Sequence, residues 1–239
     1  MSDLAARGAA EPHSEALYAP LAAADWVVGH LGQSVDGRIA TEDGHSHYVT
    51  GPANIDHLHH MRALADAVLV GPGTVAHDDP RLTVRRVEGR NPVRVVLDPK
   101  RRLEPGYHVF TDGAAPTLWL TGPGDALAAP PGRAEHVALA ALADGLDPRT
   151  VVAALRERGL RRLFVEGGGL TVSRFLDAGQ LDRLQVCVAP MIIGSGRPAV
   201  TLPRITRLDH ALRPPCRILP MGEDVLFDFD LRAERPEAS

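Results

Sequence analysis

The fold is decided by residues 29–85, which read GHLGQSVDGRIATEDGHSHYVTGPANIDHLHHMRALADAVLVGPGTVAHDDPRLTVR. An apolar run over residues 26–34 enters this stretch and stops at a turn, and a second apolar run covers residues 67–71. The segment between them, residues 51–66, has the spacing of a helix. A strand, a helix and a second strand in this order predict an α/β domain with a mostly parallel sheet.

The rest of the chain continues the alternation of strands and helices. Further strands are predicted at 92–98, 108–111, 116–122, 135–139, 162–166, 184–189 and 225–230. Helices are predicted at 147–158, where Asp147 caps the start and Gly159 the end, and at 170–178, which stops at Gly179. Loops rich in glycine and proline are predicted at 122–132 and 191–198. The C-terminal half has more strand than helix, which indicates a mixed edge on the sheet.

Length and composition limit the classes of protein. The 239 residues suffice for one large α/β domain, expected over 25–231, with flexible segments at 1–24 and 232–239. A net charge of −4 argues against nucleic-acid binding, and no apolar run has the length of a membrane span. Cys187 and Cys216 form no C-x-x-C pair, so neither a disulfide framework nor a thiolate zinc site is expected. We expect a cytoplasmic protein, because the N-terminus lacks a signal-peptide core.

The helix at 51–66 carries an arginine on its apolar side. Thr50-Gly51-Pro52 predicts the start of the helix, with a hydroxyl cap. A common face is formed by Ile55, Leu58, Arg62 and Ala65. Arg62 therefore either extends its head to the edge of the packed stripe or reaches a pocket and holds an anion, and the spacing alone favours the first.

Two further patterns suit a phosphorylated ligand. Gly167-Gly168-Gly169 joins a strand to a helix, which lets a phosphate approach backbone N–H groups; the alternative is that the glycines only permit a tight turn. Lys100, Arg101 and Arg102 follow the strand that ends at Asp98, where a basic cluster can meet the 2′-phosphate of NADP. The alternative is a solvated run of charge.

Histidines and aspartates give weaker signals. The histidines cluster at His45, His47, His57, His59 and His60. No third metal ligand is spaced convincingly, so a solvated polar face is favoured over a metal site. Asp78-Asp79-Pro80 is either a turn or a pair of acids for proton transfer.

Together these residues resemble a known family, the reductase domain of the bifunctional riboflavin-biosynthesis deaminase/reductase. The matching pieces are SVDGRIA at 34–40, GHSHYVT at 44–50, AVLVGPGTVAHDDPRLTVR at 67–85, PVRVVLD at 92–98, VEGGG at 165–169 and VAPMIIGSGRP at 188–198. The resemblance covers about residues 25–231, without the deaminase half.

The resemblance implies a dihydrofolate-reductase-like α/β fold, a homodimer, and a metal-free oxidoreductase that uses NADPH. The implied substrate is a phosphorylated small molecule, 5-amino-6-(5-phosphoribosylamino)uracil, whose ribosyl ring opens and receives hydride at C1. Alternatives are a 2,5-diamino-6-ribosylamino-pyrimidinone 5′-phosphate reductase, a tailoring reductase on a related heterocycle, or a non-catalytic dimeric homologue. No nucleic-acid or membrane partner is implied.

The resemblance also assigns residues. It implies Asp78 and Glu166 as catalytic groups. The implied substrate-binding residues are Ser46, Thr50, Arg62, Leu82, Arg85 and Glu166. The implied cofactor-binding residues are Gly32, Tyr48, Thr74, Asp78, Lys100, Arg101, Arg102 and the run 168–174, which includes Gly168, Gly169, Leu170 and Thr171. Tyr48 replaces a frequent tryptophan, and His30 replaces a frequent lysine. At His30 we expect either a substrate contact that strengthens as pH falls, a different substrate, or a histidine satisfied by a backbone carbonyl.

Overall fold

A nine-stranded sheet forms the centre of the computed structural model, which describes residues 17–22, 25–46, 49–123, 130–142 and 145–232. The strands are β1 (Trp26–Ser34), β2 (Arg38–Thr41), β3 (Ala67–Val70), β4 (Val93–Leu97), β5 (Thr117–Thr121), β6 (Glu135–Ala138), β7 (Ala141–Leu142), β8 (Gly145–Leu146), β9 (Arg162–Glu166), β10 (Arg183–Ala189), β11 (Gly196–Pro198), β12 (Cys216–Met221) and β13 (Asp224–Asp230). The α-helices are α1 (Pro52–Leu64), α2 (Pro72–Asp78), α3 (His108–Thr111), α4 (Pro148–Glu157) and α5 (Gly169–Asp177). Short 3-10 turns cover Ala19–Leu21 and Leu208–His210.

The order of the strands confirms the predicted sheet. It runs β12-β13-β10-β1-β9-β3-β4-β5-β6, and the strands from β10 to β6 are parallel to one another. At the opposite edge β13 and β12 are antiparallel, which gives the expected mixed edge. Small two-stranded sheets pair β2 with β11 and β7 with β8.

Helices cover both faces of the sheet because successive side chains of a strand point to opposite sides. In β1, Trp26 and Val28 belong to the core that also contains residues of α1, α2 and α3. Val27 and Leu31 belong to the other core, which α4 and α5 cover. The predicted class, a mostly parallel sheet flanked by helices, is thus confirmed.

The connections leave a crevice at the carboxyl ends of the central strands. β9 lies between β1 and β3. The chain leaves β1 toward the face covered by α1, whereas it leaves β9 toward the face covered by α5. Ligands of open α/β sheets bind outside the carboxyl ends of strands where successive connections diverge in this way. The fold therefore places a site at the ends of β1, β9 and β3.

The predicted limits of α4 and α5 are confirmed by their caps. The Asp147 carboxylate accepts a hydrogen bond from the backbone N–H of Arg149 at 2.9 Å. Gly159 and Gly179 follow the two helices with φ angles of 79° and 64°, a region that glycine adopts without a steric cost. Local sequence was sufficient for these elements.

The predicted hydroxyl cap of α1 is wrong. Gly51 occupies the cap position, and the carboxylate of Asp224 in β13 accepts its backbone N–H at 2.7 Å. The Thr50 hydroxyl instead accepts a hydrogen bond from Asn54 Nδ2 at 2.9 Å. The start of α1 is therefore held by a residue distant in the chain and has no side-chain cap.

Other elements differ from the prediction. His108–Thr111, predicted as a strand, forms the short helix α3, because four residues do not distinguish the two periods. The helix α2 and the edge strand β12 were not predicted. The predicted loop at 191–198 ends in strand β11.

The described part of the N-terminal segment packs on the domain. Leu17 and Leu21 are buried, and the Leu21 carbonyl accepts a hydrogen bond from Trp26 Nε1 at 3.0 Å. Leu21 thus belongs to the same core as Trp26. Most of the predicted segments 1–24 and 232–239, and residues 124–129 of the predicted loop, lie outside the described residues. Within the described residues, no helix has the length and apolar character that crossing a membrane requires.

Candidate active site

A cavity of about 690 Å³ opens at the crevice. Its wall is formed by the ends of β1 and β9, the first turns of α2 and α5, and one side of α1. Ile55, Leu58 and Arg62 of α1 line it, so most of the face predicted from helical spacing meets the cavity. Polar residues that were predicted in distant parts of the chain line this one cavity.

Arg62 and Glu166 form a largely buried ion pair in this cavity. The Arg62 guanidinium donates from Nε to Glu166 Oε2 at 2.6 Å and from Nη2 to Oε1, and its Nη1 donates to the Thr83 carbonyl oxygen at 3.1 Å. Burial alone lowers the pKa of Arg62, but the Glu166 carboxylate outweighs burial and the pKa is raised. Arg62 thus reaches the pocket, with its donors directed to Glu166 and Thr83.

Arg85 brings a second guanidinium to the cavity. It ends the irregular segment 81–85, in which the buried Leu82 has a φ angle of 53° and also lines the cavity. The pKa of Arg85 is lowered by burial and by the positive charges of Arg62 and Arg81. The Glu166 carboxylate raises this pKa, but by less than the neighbouring cations lower it. The potential at Arg85 is therefore positive, which attracts an anion.

Hydroxyl and carboxylate groups complete the polar wall. Ser46, Thr50 and Asp78 all line the cavity, and Ser46 Oγ donates to Asp78 Oδ1 at 3.2 Å. Both predicted catalytic carboxylates, Asp78 and Glu166, therefore face the same cavity. Tyr48 lies outside the described residues, so its assignment stays a prediction.

The glycine triplet forms the tight turn that was one of its two predicted roles and also lines the cavity, and a phosphate contact there stays a prediction. Gly167 and Gly168 have φ angles of 93° and 66°, which permit the tight turn into α5. A Cβ at Gly168 would lie 3.2 Å from Thr74 Oγ1 and 3.5 Å from Thr171 Oγ1, so glycine keeps this backbone accessible. The cavity wall contains the predicted cofactor residues Gly32, Thr74, Asp78, Gly168, Gly169 and Leu170.

A second pocket of about 250 Å³ adjoins the cavity at Leu170, which lines both. Lys100, Arg102, Thr171 and Arg174 line this pocket. Two separate elements, the loop after β4 and the helix α5, thus direct cations to one place. A ligand with two anionic groups could extend from the glycine triplet to this pocket.

Asp98 holds the backbone of the loop that carries Lys100, Arg101 and Arg102. The buried carboxylate accepts the backbone N–H groups of Arg102 at 3.0 Å and Leu103 at 3.1 Å. Arg101 has a φ angle of 53°, and its guanidinium donates to Thr121 Oγ1 at 3.4 Å and to the Gly122 carbonyl oxygen at 3.3 Å. Of the three predicted basic residues, Lys100 and Arg102 line the pocket, whereas Arg101 does not.

His30 lines the cavity as a buried residue. Its Nε2 lies 3.0 Å from Asn54 Oδ1, and burial lowers its pKa to about 4. A neutral imidazole over the range of about pH 6–8.5 does not support the expected contact that strengthens as pH falls. The structural alternative fits better, although the partner is the Asn54 side chain and not a backbone carbonyl.

The prediction of a solvated histidine face is wrong for His57 and His59, which are buried in α1. His57 bonds to Tyr18 and Gln185 through its two ring nitrogens, and His59 accepts the backbone N–H of Arg85. Helical spacing alone did not reveal these distant partners. Across the described residues, no group of three or more His, Cys, Asp or Glu side chains has the arrangement of a metal site.

The polar cavity residues that were missed include Asn54, His77, Arg197 and Thr201. Arg197 of β11 places Nη2 3.1 Å from His77 Nε2 of α2. The GSGRP sequence at 194–198 carried the signal for Arg197, as a cation in a glycine-rich loop. His77 lies within the matching piece 67–85, which was the only signal for it, and Asn54 had none beyond its position on the predicted helix.

The buried histidines predict a loss of stability in acid. Burial, as the largest cause, lowers the pKa of His30, His57 and His59 to about 4, 3 and 4, against 6.5 in the unfolded chain. The unfolded state then binds more protons below pH 6.5, so stability falls as pH falls from there toward the folded pKa values. Over this range each buried histidine should lower the free energy of unfolding by up to about 1.4 kcal/mol for every unit by which the pH falls.

Urea unfolding between pH 7 and pH 4.5 measures this loss. The slope of unfolding free energy against pH should be smaller in His57→Gln than in wild type, since one buried titrating group is removed. His60→Gln, an exposed histidine of the same helix, is the matched control and should keep the wild-type slope. Equal slopes for His57→Gln and wild type would contradict the assignment.

Comparison with known proteins is consistent with this site. The RibD C-terminal domain family model matches residues 25–220. A 2,5-diamino-6-ribosylamino-4(3H)-pyrimidinone 5′-phosphate reductase of Methanothermobacter thermautotrophicus is 35% identical over 216 residues, which are 87% of this chain and 98% of that protein. The riboflavin biosynthesis protein RibD of Aquifex aeolicus is 33% identical over 82% of this chain and 55% of that protein.

A solved structure supports the same relationship. The deaminase/5-amino-6-(5-phosphoribosylamino)uracil reductase of Thermotoga maritima superposes with a TM-score of 0.70 at 29% identity, covering 86% of this chain and 56% of that one. This likeness confirms the dihydrofolate-reductase-like fold. The chain therefore spans nearly the whole Methanothermobacter reductase but only about half the length of the RibD proteins it matches.

Proposed function

Because this chain belongs to the RibD C-terminal domain family, we propose that it is an NADPH-dependent reductase of a phosphoribosylamino-pyrimidine in riboflavin biosynthesis. The substrate would be of the 5-amino-6-(5-phosphoribosylamino)uracil type. The proposal rests on the observation that one cavity contains both a cationic site at Arg85 and a glycine-lined site at residues 167–169. Such a cavity can hold a sugar phosphate beside a dinucleotide.

The substrate half of the cavity suits a phosphorylated sugar. Arg85 can donate two parallel hydrogen bonds to a phosphate, and the positive potential around it favours an anion. Arg62 holds the Glu166 carboxylate in a fixed orientation through two hydrogen bonds, and the remaining lone pairs of its oxygens can accept substrate N–H or O–H groups. Leu82 supplies the apolar contact beside these groups.

The other half of the cavity fits a nicotinamide dinucleotide. The glycine triplet presents accessible backbone at the start of α5, and the second pocket supplies Lys100 and Arg102. When bound, NADPH would supply hydride from its nicotinamide ring to C1 of the opened sugar. The chain's contribution is to align the two ligands and to exclude water from between them.

A closely related substrate is the second candidate. The Methanothermobacter relative, which this chain matches over 98% of that protein's length, is named for the 2,5-diamino-pyrimidinone phosphate. The two candidates differ in the pyrimidine ring and share the ribose phosphate. The same residues, Arg62, Arg85 and Glu166, would serve both.

The decisive experiment supplies each candidate substrate with NADPH and follows NADPH oxidation. Mass spectrometry of the product should identify a ribityl chain. Turnover of the uracil supports the first candidate, and turnover of the diamino compound alone supports the second. Failure with both, while the folded protein still binds ribose 5-phosphate, would favour a tailoring reductase on another heterocycle; failure of both turnover and binding would favour a non-catalytic homologue.

We expect NADPH to be preferred over NADH by at least about tenfold in KM, since each charge-assisted hydrogen bond to the 2′-phosphate contributes about 1.5–3 kcal/mol. The variant Lys100→Gln/Arg102→Gln should raise the KM for NADPH and leave the KM for NADH within about twofold, because NADH lacks this phosphate.

Arg101→Gln is the matched control, because Arg101 lies in the same loop with its guanidinium bonded to Thr121 and Gly122. It should keep the preference for NADPH. A loss of preference in Arg101→Gln, with none in the double variant, would show that another arrangement of the loop binds the phosphate.

We further propose a homodimer that buries the outer face of β12 and β13. Ile218, 65% exposed, and Val225, 38% exposed, lie on this face with the half-buried Phe227 and Phe229. An apolar sheet face of this kind is typical of an interface between subunits. We also propose a cytoplasmic location, in line with the biosynthetic role proposed above.

Sedimentation velocity tests the dimer. Ile218→Asp should shift the protein from dimer to monomer, because a charge would be buried at the interface. Leu142→Asp changes an equally exposed leucine on β7 and should leave the dimer intact. A monomeric wild type, or a dimer unaffected by Ile218→Asp, would contradict this interface.

A further inference from the structure

The segment that presents Arg85 to the cavity has no secondary structure of its own. Residues 81–85 lie in neither a helix nor a strand, and Leu82 within them has left-handed backbone. Side chains therefore have to satisfy the backbone groups that a helix or sheet would otherwise satisfy. Those side chains determine where the Arg85 guanidinium is placed.

Four side chains from outside the segment hold its backbone. Arg94 Nη1 donates to the Arg81 carbonyl oxygen at 3.4 Å, and Val84 donates its backbone N–H to Asn91 Oδ1 at 2.8 Å. From α1, Arg62 Nη1 donates to the Thr83 carbonyl oxygen at 3.1 Å, and His59 Nδ1 accepts the backbone N–H of Arg85 at 2.9 Å. His59 and Arg62 are three residues apart and share a side of the helix. The helix thus fixes the segment at two successive points.

His59 differs from the other three in what it holds. Arg62 is itself part of the cavity wall, and Asn91 and Arg94 bond to Val84 and Arg81. His59 is buried behind the wall, does not line the cavity, and bonds to Arg85 itself. Its partner is the backbone of Arg85, whose side chain donates from Nη1 to Thr83 Oγ1 at 2.6 Å. The direction of the Arg85 guanidinium is thus set by a backbone position that His59 holds.

We propose that His59 is a positioning residue, which sets the affinity for the phosphorylated substrate by fixing the backbone of Arg85. This inference rests on the proposed function, because it takes Arg85 as the phosphate ligand. Its chemistry requires the tautomer with hydrogen on Nε2, so that Nδ1 remains an acceptor.

The surroundings of His59 keep that acceptor available. Burial, followed by the positive charges of Arg62 and Arg85, lowers the pKa of His59 to about 4, despite the Glu166 carboxylate. The ring is therefore neutral at neutral pH. Protonation would place hydrogen on Nδ1, where it would oppose the Arg85 N–H.

The test compares two substitutions at His59. His59→Leu introduces an apolar side chain of similar volume and removes the acceptor. His59→Asn places an amide oxygen near the position of Nδ1. His59→Leu should raise the Kd for ribose 5-phosphate, measured by calorimetry, roughly tenfold. It should raise the KM for the phosphorylated substrate by the same factor. The Kd for ribose, kcat and the KM for NADPH should stay within about twofold. His59→Asn should recover most of the affinity.

His57→Leu is the matched control. His57 is an equally buried histidine of α1, bonded to Tyr18 and Gln185 and not to the 81–85 segment. It should lower the unfolding midpoint by an amount similar to His59→Leu while leaving the Kd for ribose 5-phosphate unchanged.

The outcomes separate the two proposals. If wild type neither binds ribose 5-phosphate nor turns over substrate, the proposed function fails and this inference fails with it. If wild type binds and folded His59→Leu binds equally well, His59 has only a structural role and the inference alone is overturned. Equal losses in His59→Leu and His57→Leu would likewise assign the effect to general destabilisation.

Discussion

Replacing Arg85 by alanine should raise the KM for the phosphorylated substrate by about 100-fold or more, because two charge-assisted hydrogen bonds to phosphate are lost. The dephosphorylated analogue should lose little affinity, since it never engages the guanidinium. A difference between the two ligands is therefore the expected signature. It is measured by KM with each substrate, or by calorimetry with ribose 5-phosphate and ribose.

Two further variants make this measurement specific. Arg85→Lys keeps the charge but not the planar pair of donors, so it should recover only part of the affinity. Arg86→Ala removes the neighbouring arginine, which pairs with Asp56 on the surface, and should leave both ligands unaffected. Equal losses for the phosphorylated and dephosphorylated ligands in Arg85→Ala would place the phosphate elsewhere.

Replacing Glu166 by glutamine should have the second large effect, on both activity and stability. The Arg62 guanidinium would remain largely buried without its carboxylate, and breaking a buried pair in this way costs about 3–5 kcal/mol. The substrate would lose a charged acceptor, so kcat/KM should fall by about 100-fold. Urea unfolding and steady-state kinetics measure the two effects separately.

A variant far from the cavity shows whether the loss of activity is specific. Asp228 is a fully buried carboxylate paired with Arg183 and Arg217, and it does not line the cavity. Asp228→Asn should destabilise the protein to a similar extent and leave the KM for substrate unchanged. If Glu166→Gln retained wild-type kcat/KM, Glu166 would serve only to hold Arg62.

The double variant Arg62→Met/Glu166→Leu tests the ion pair as a unit, because it removes both charges together. Replacing both charges by apolar groups should restore much of the stability, since no unpaired charge remains buried. Activity should stay low, because the acceptor for substrate is still absent. This combination would distinguish a functional pair of Arg62 and Glu166 from a purely structural ion pair.

The sequence by itself determined most of the elements of this fold. Alternating strand and helix patterns established the α/β class, and local caps at Asp147 and Gly159 fixed the limits of α4. These features depend on residues within a few positions of one another, and periodicity and capping report such local relations. The resemblance of residues 67–85 to a known family then indicated which polar residues to examine.

Tertiary structure decided where the patterns were short or the partner was distant. The helix α3 replaced a predicted strand, and Asp79, far earlier in the chain, accepts the backbone N–H of His108 at 2.7 Å. At the start of α1 the Gly51 N–H is likewise bonded to the distant Asp224, and the adjacent Thr50 does not cap the helix. Sequence rules describe local caps, so these substitutes were outside their reach.

The same distinction applies to the site. A run of three basic residues predicted a cationic loop, but only the left-handed backbone at Arg101 decided that Lys100 and Arg102 line the pocket while Arg101 faces Thr121. Arg62 looked on spacing alone like a residue of the packed stripe, until the order of the strands placed Glu166 beside it. Sequence specifies which chemical groups a segment carries, whereas their direction and partners depend on backbone conformation and on which strand ends the topology brings together.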